Sequence, residues 1–344
     1  MSQTVLVQSK SLARKTQRPL VLGALVLAMF MSAIEMTIIS TAMPSIVGEL
    51  GGFSLYSWVF SGFSLMQAVT TPIYGKLSDL FGRKPVFIVG VVIFLVGSVL
   101  CGLATSMLML VIFRVIQGFG AGAVQPVAMT IIGDMYSVEE RAKIQGYFSS
   151  VFGISSVIGP LFGGMIVQYS HWSWIFWMNV PLGILAVAGV LFYLHEGVEK
   201  QKRSIDYAGS GLFFITITSL MVVLIQGGVA WSWTSPQILA LLLAVAVGTG
   251  MFLRQESRAS EPMMPLPLWK NRFIAIGNMA TLTSGAIVIG LTSFLPAYIQ
   301  GVMGGTAFVA GFALTVMTIG WPIAAWLAGY SILKMGTRPT MEGP

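Results

Sequence analysis

Charge is scarce in this chain. Lys, Arg, Asp and Glu make up 9% of its 344 residues, where a soluble globular domain carries roughly 25%. Apolar residues fill the deficit at 56% of the total. No globular core shelters that much apolar surface, so lipid must replace water over much of the chain. Cysteine is reduced to Cys101, which excludes an intrachain disulfide and says nothing of redox compartment. The two histidines, His171 and His195, fall between apolar runs and offer no metal site. A Gly-x4-Gly-Lys-Ser/Thr loop is absent, which argues against direct coupling to ATP. No cofactor is implied, and no constellation of residues suggests an enzyme. The net charge of +7 would suggest nucleic acid in a soluble protein, but its distribution here gives it another meaning.

What the chain does have is apolar length. A spanning helix needs about 20 apolar residues, and ten such runs appear: 20–43, 55–74, 86–105, 108–132, 145–167, 174–194, 208–225, 236–253, 273–299 and 307–333. The first is too long for a signal-peptide core and is expected to be retained. Cytoplasmic connections are rich in Lys and Arg. Numbering the runs as spans 1 to 10, with a cytoplasmic N-terminus, places 18 of the 19 Lys and Arg residues on the cytoplasmic side. They lie in the tail (Lys10, Arg14, Lys15, Arg18), the 2–3, 4–5, 6–7 and 8–9 connections, and the residues after span 10. The exception, Arg114, sits inside span 4. The expectation is an all-α membrane protein of about ten transmembrane helices with its N-terminus in the cytoplasm.

A weak repeat accompanies this pattern. Gly75, Gly82 and Lys84 around the 2–3 connection are spaced like Gly329, Gly336 and Arg338, and Pro44 with Gly51-Gly52 is echoed by Pro296 with Gly304-Gly305. Spans 9 and 10 therefore read as a second copy of spans 1 and 2 in the same orientation, as in transporters built from parallel halves.

Several motifs carry more chemistry. The 2–3 connection reads Gly75-Lys-Leu77-Ser-Asp79-Leu-Phe-Gly82-Arg83-Lys84. Glycines permit a tight turn, Asp79 suits a helix N-terminus, and Arg83 suits a carboxylate such as Asp134 at the inner end of span 4. Span 4 contains Arg114-Val-Ile-Gln117-Gly118-Phe-Gly120-Ala, and span 1 carries Glu35, followed by Thr37 and Pro44. An arginine within a bilayer is costly unless paired, and is a functional candidate by default. Helical rise places Arg114 roughly 10 Å and Glu35 about 13 Å below the outer boundary. These two are the ionisable side chains well inside the spans, of opposite sign and similar depth. Burial disfavours a charged carboxylate and a nearby cation favours it, so a Glu held between the two can exchange a proton. The plainer alternative is a static ion pair joining spans 1 and 4. Span 5 holds Gly153 and then Gly159-Pro160-Leu-Phe-Gly163-Gly164, small residues that let backbones approach and a proline that bends the helix. Trp172-Ser-Trp174-Ile-Phe176-Trp-Met-Asn179-Val-Pro181-Leu-Gly183 opens span 6, with Trp172 and Trp174 read as interfacial anchors. Ser137 and Glu140 form a capping box before span 5.

The 2–3 string resembles the signature loop of the major facilitator superfamily at every defining position. The span 4 string is similar to a motif of its proton-coupled members, the span 5 string to the antiporter motif of its exporters, and the span 6 string to an element of the same antiporters. An acidic residue in span 1 is a feature of the drug:proton antiporters with 14 helices; Glu35 in place of the usual Asp resembles a branch from Gram-positive bacteria. The resemblance runs from Leu20 to Arg338. It implies a proton-coupled exporter of lipophilic, often cationic drugs in the bacterial cytoplasmic membrane, with lipid, protons and small substrates as its partners. It assigns proton coupling to Glu35 and Arg114, and an inner gate to Gly75, Asp79, Gly82, Arg83 and Asp134. Gly153, Gly159, Pro160, Gly163 and Gly164 become the antiporter motif. It also implies an organisation: a tail at 1–19, a six-helix bundle at 20–194, linkers at 195–206 and 254–272, two extra helices at 207–253, and the start of a second bundle at 273–344. By that pattern the chain ends about four helices early, and Asp79 has no obvious partner. A metabolite exporter and a non-transporting fragment are the competing readings. Gln67, Gln226 and Tyr298 are polar candidates for a cavity wall.

Overall fold

The structure, a computed structural model, describes residues 16–196, 206–259, 268, 270–318 and 320. Eleven helices form it: α1 (Arg18–Leu50), α2 (Tyr56–Phe81), α3 (Arg83–Gly102), α4 (Met107–Met135), α5 (Val138–Tyr169), α6 (Trp174–Trp177), α7 (Asn179–Tyr193), α8 (Tyr207–Gln226), α9 (Pro236–Glu256), α10 (Arg272–Gly301) and α11 (Ala307–Thr318). Among the described residues there is no strand, only an isolated bridge between Gly227 and Trp231. The second half of the expected repeat (Gly329, Gly336 and Arg338) and the basic residues at 10, 14, 15, 200, 202 and 203 lie outside the described residues.

Helix ends follow local chemistry. Pro19 opens α1, and Gly51 and Gly52, both with positive φ, close it. Ser106, Ser137, Asp206, Ser235 and Asn271 cap the N-termini of α4, α5, α8, α9 and α10 through side-chain oxygens. The Ser137–Glu140 capping box is present. Pro44, which stood just past the end of the first expected run, sits inside a helix, as does Pro296. α1 continues through Pro44 to Leu50, and α10 through Pro296 to Gly301. Span 6 is broken at Met178 into α6 and α7. The 2–3 connection shrinks to Gly82 alone, whose φ of 96° few other residues adopt.

Eight helical stretches among the described residues are long and apolar enough to cross a membrane, against the ten runs expected. They are those of α1, α3, α4, α5, α6 with α7, α8, α9 and α10. The two others have different reasons. α2 has ample length, but Ser61, Ser64, Gln67, Thr70, Thr71 and Tyr74 dilute its apolar character, and α11 is described only as far as Thr318.

Packing depends on glycine at close approaches. α4 is wedged between α2 and α3: a Cβ on Gly118 would strike the Phe63 backbone, one on Gly120 the Phe94 and Gly90 backbones, and one on Gly97 the Gln117 backbone. α7 lies against α1 and α3, and α5 lies along α1. α8 and α9 pair with each other, through Gly248 on Thr216 and Phe213 on Phe252, and α8 touches α2. α10 and α11 lean on the others through Tyr56 Oη to the Ser293 carbonyl (2.6 Å), Gln300 Nε2 to the Thr41 carbonyl (3.2 Å) and Thr315 Oγ1 to the Val157 carbonyl (2.9 Å).

The buried residues of α1–α7 form two apolar clusters. One gathers Val21–Met31, Phe87–Phe94, Ala121–Ile132 and Ala186–Leu194; the other gathers Ile34–Ile46, Cys101, Met107, Leu110 and Trp172–Phe176. Ser98, Arg114, Gln117 and Asn179 sit between the two along their respective helices, and Glu35 lies at the near edge of the second.

Because the groups facing Gly118 are backbone atoms, they cannot swing away. Gly118→Val is expected to destabilise the protein by at least about 1–3 kcal/mol, the usual cost of overpacking. Gly23→Ala, with nothing within 4 Å of the added carbon, is expected to be neutral or to stabilise by up to about 1 kcal/mol. Equilibrium denaturation in detergent measures both.

Candidate functional site

The polar layer begins with Glu35 on α1. Its carboxylate is fully buried, with Oε1 2.5 Å from Arg114 Nη1 and Oε2 2.6 Å from Asn179 Nδ2. Arg114, 1% exposed, also donates from Nη1 to Gln117 Oε1 (2.7 Å) and from Nε to the Val59 carbonyl (3.2 Å). Its guanidinium carbon stands 4.0 Å over the Phe63 ring, a cation–π contact. Ser98 on α3 closes the network: it accepts from Gln117 Nε2 (3.1 Å) and Asn179 Nδ2 (3.0 Å), and donates to the Phe176 carbonyl (2.9 Å). Cys101 donates weakly to Gln117 Oε1 at 3.7 Å. Five helices, α1, α2, α3, α4 and α7, thus converge on one ion pair.

Glu35 lies further from the end of its helix than a run ending at Pro44 implied. Fifteen residues separate Glu35 from Leu50, the end of α1, or about 22 Å of helix. Arg114 lies seven residues into α4, about 10 Å. The two meet because α1 stands roughly two turns taller than α4 at that end.

At the opposite end lies the signature loop. Gly75 and Asp79 are in the last turns of α2, and Arg83 and Lys84 in the first turn of α3. Arg83 Nε is 2.9 Å from Asp134 Oδ2 and Nη2 is 3.3 Å from Asp79 Oδ1. Asp79 therefore does have a partner within the chain, one turn along. It does not cap α3, because the single-residue Gly82 turn leaves it on α2. Glu196, past the end of α7, does so: its Oε1 accepts from the backbone N–H groups of Arg83 (3.0 Å) and Lys84 (3.1 Å). Lys84 reciprocates, its Nζ donating to the Leu191 and Leu194 carbonyls at 2.7 Å each. Each helix end thereby receives the charge its dipole favours.

The span 5 glycines form a third group. Cβ atoms on Gly159 and Gly163 would run into Thr37 Oγ1 and Thr41 Oγ1 of α1, and one on Gly164 into the Ala307 carbonyl of α11 at 2.6 Å. Gly311 of α11 meets the Pro160 carbonyl. Gly153 is buried. This face of α5 is thus sandwiched between α1 and α11.

Sequence reasoning missed several participants. Ser98 and Asn179 are isolated polar residues in apolar helices, which is the signal that could have found them. Glu196 had none, since its role depends on α7 ending beside the start of α3. Trp172 was misjudged as an interfacial anchor. It is 4% exposed, packs edge-on against Phe176 and donates to Glu49 Oε2 at 2.8 Å. Trp174, at 53% exposed, remains at the surface. The proposed cavity residues separate too: Tyr298 is exposed, while Gln67 and Gln226 are half-buried.

A family model described as Major Facilitator Superfamily matches residues 25–341. The chain belongs to that superfamily. It is 40% identical over 329 residues to Multidrug resistance protein 3 of Bacillus subtilis, a match covering 96% of this chain and 64% of that protein. It is 38% identical over 326 residues to Multidrug transporter protein MdtP of the same organism, covering 95% and 60%. The chain therefore spans about three fifths of the length of these curated relatives. The solved structure of the POT family transporter PepTSo matches with a TM-score of 0.59 at 13% identity, covering 92% of this chain and 70% of that one, a likeness of fold. A superfamily member with helices of this apolar length is a multi-pass protein of the cell membrane.

The enclosed ion pair has an energetic consequence. Removing one partner of a buried pair costs about 3–5 kcal/mol, because the other charge is left uncompensated. Arg114→Leu is expected to show a loss of this size in denaturation measurements. The double variant Arg114→Leu with Glu35→Gln is expected to recover part of it.

Proposed function

We propose that this protein is a proton-driven exporter of lipophilic, preferably cationic compounds, with Glu35 as the proton carrier and Arg114 as its counter-charge. The observation that carries the reading is the wholly buried Glu35–Arg114 pair bound to Asn179 and Gln117, which Ser98 joins. A proton on Glu35 cancels its charge, weakens its bond to Arg114 and loosens the tie between α1 and α4. α1 also bears α5, α7 and α10, so a change there is carried to the helices that lean on it. A lipophilic cation can replace the proton as the positive partner of Glu35, which makes the two compete. The drive is the proton gradient, whose electrical part supplies about 2.3 kcal/mol per charge per 100 mV. The relatives named as multidrug proteins support this substrate class.

The same reading places the N-terminus in the cytoplasm, the Arg83–Asp134–Asp79 cluster at the inner gate, and the α5 glycines on the surface where the two halves move. Residues 20–194 then form the first bundle, 207–253 an inserted pair, and 273–344 the start of the second bundle.

Two measurements test it. In energised cells expressing the 344-residue chain, ethidium efflux is expected to be abolished by an uncoupler and lost in Glu35→Gln. Efflux that survives either treatment would overturn the coupling role. For orientation, a membrane-impermeant maleimide is expected to label Val229→Cys in intact cells and Phe81→Cys only after permeabilisation. Val229 and Phe81 are exposed, and the native Cys101 is fully buried and silent. The reverse pattern would invert the topology.

A further inference from the structure

One polar atom beside the ion pair has no partner. Asn179 is fully buried, and its Oδ1 receives no hydrogen bond. Its Nδ2 is doubly engaged, donating to Glu35 Oε2 at 2.6 Å and Ser98 Oγ at 3.0 Å. An unpaired buried acceptor is costly and is rarely left without a reason.

The charge on Glu35 supplies one. A carboxylate only accepts hydrogen bonds, so the amide of Asn179 must turn its nitrogen towards Oε2. Protonation changes the requirement at that oxygen. Oε1 faces Arg114 Nη1, which only donates, so an arriving proton is placed on Oε2. There an O–H would confront the N–H of Asn179, donor against donor. Half a turn of the amide removes the conflict: Oδ1 now accepts from the Glu35 hydroxyl. The same turn sets Oδ1 opposite Ser98 Oγ, which must then donate to it. The Ser98 proton stays on its oxygen and changes acceptor, leaving the Phe176 carbonyl to which it now donates at 2.9 Å. Gln117 Nε2 still donates to Ser98.

We propose that Asn179 is a positioning residue that senses the protonation state of Glu35. It presents Nδ2 to the carboxylate and Oδ1 to the acid, and transmits the reversal through Ser98 to the break between α6 and α7. The inference rests on the reading of Glu35 as the proton carrier. Only one bond is made, between the proton and Oε2. The titratable groups that face Glu35 are Arg114 from α4 and Cys101 from α3. Among the described residues, α2, α5, α6, α7, α10 and α11 bring no charged side chain to it.

The chain has three asparagines, Asn179, Asn271 and Asn278, so nitrogen-15 asparagine labelling gives a sparse side-chain amide spectrum. Solid-state NMR of the labelled protein in lipid bilayers is recorded across a pH series. Infrared spectra on the same samples follow the Glu35 carboxyl band, identified by its loss in Glu35→Gln. The Asn179 amide signal is expected to move between two positions at the pH where that band appears, and to stay at the acid position at every pH in Glu35→Gln. The Asn271 and Asn278 signals are expected not to follow it. An Asn179 signal that stays fixed while Glu35 takes up its proton would overturn this inference and leave the proton carrier standing. An Asn179 signal that still titrates in Glu35→Gln would also overturn it. A Glu35 band that never appears would overturn both.

Discussion

A carboxylate and a guanidinium enclosed in an apolar helix bundle can exist there only if their own charges are met by polar partners, and much of this structure follows from that demand. One ion pair does not satisfy five guanidinium N–H groups and two carboxylate oxygens. The remaining partners come from Gln117 one turn along α4, the Val59 carbonyl of α2, the Phe63 ring and Asn179 of α7. Ser98, on a fifth helix, joins two of them. The result is a polar layer between two apolar clusters, with each helix held in register by a hydrogen bond that would be lost on sliding by one residue.

Such short bonds require backbones to approach closely, which accounts for the glycines around the layer. Gly97 rests on the Gln117 backbone and Gly118 on Phe63, the residues next to Ser98 and in contact with Arg114. Gly159 and Gly163 perform a similar role for α5 against Thr37 and Thr41, one turn or less from Glu35 and further along α1. Without side chains at these points, apolar helices gain dispersion contacts that lipid tails alone do not give.

At the far end the helices are joined by complementary charges placed on helix termini. Glu196 answers the free N–H groups of α3, Lys84 answers the free carbonyls of α7, and Arg83 bridges α2 to α4 through Asp79 and Asp134. These contacts are partly exposed and each is weaker than the enclosed pair. This end is held by contacts that water reaches, while the enclosed polar layer keeps the helices in register.

The sequence by itself determined the all-helical membrane architecture, because a chain with so little charge and so many apolar runs of spanning length has no other way to satisfy its backbone in lipid. It also determined the likeness to the superfamily and singled out Glu35 and Arg114, since opposite charges at similar depth stand out in apolar helices. Tertiary structure decided what those residues touch. Helix ends drifted from the expected positions because α1 runs on through Pro44 and Gly82 turns the chain in one residue. Trp172 turned inward, Asp79 found Arg83, and Glu196, Ser98 and Asn179 became hydrogen-bond partners only when helices distant in sequence met. Periodicity and composition report how each helix meets its solvent; which hydrogen bonds form between helices depends on rotation and depth, and these are set only when the whole bundle packs.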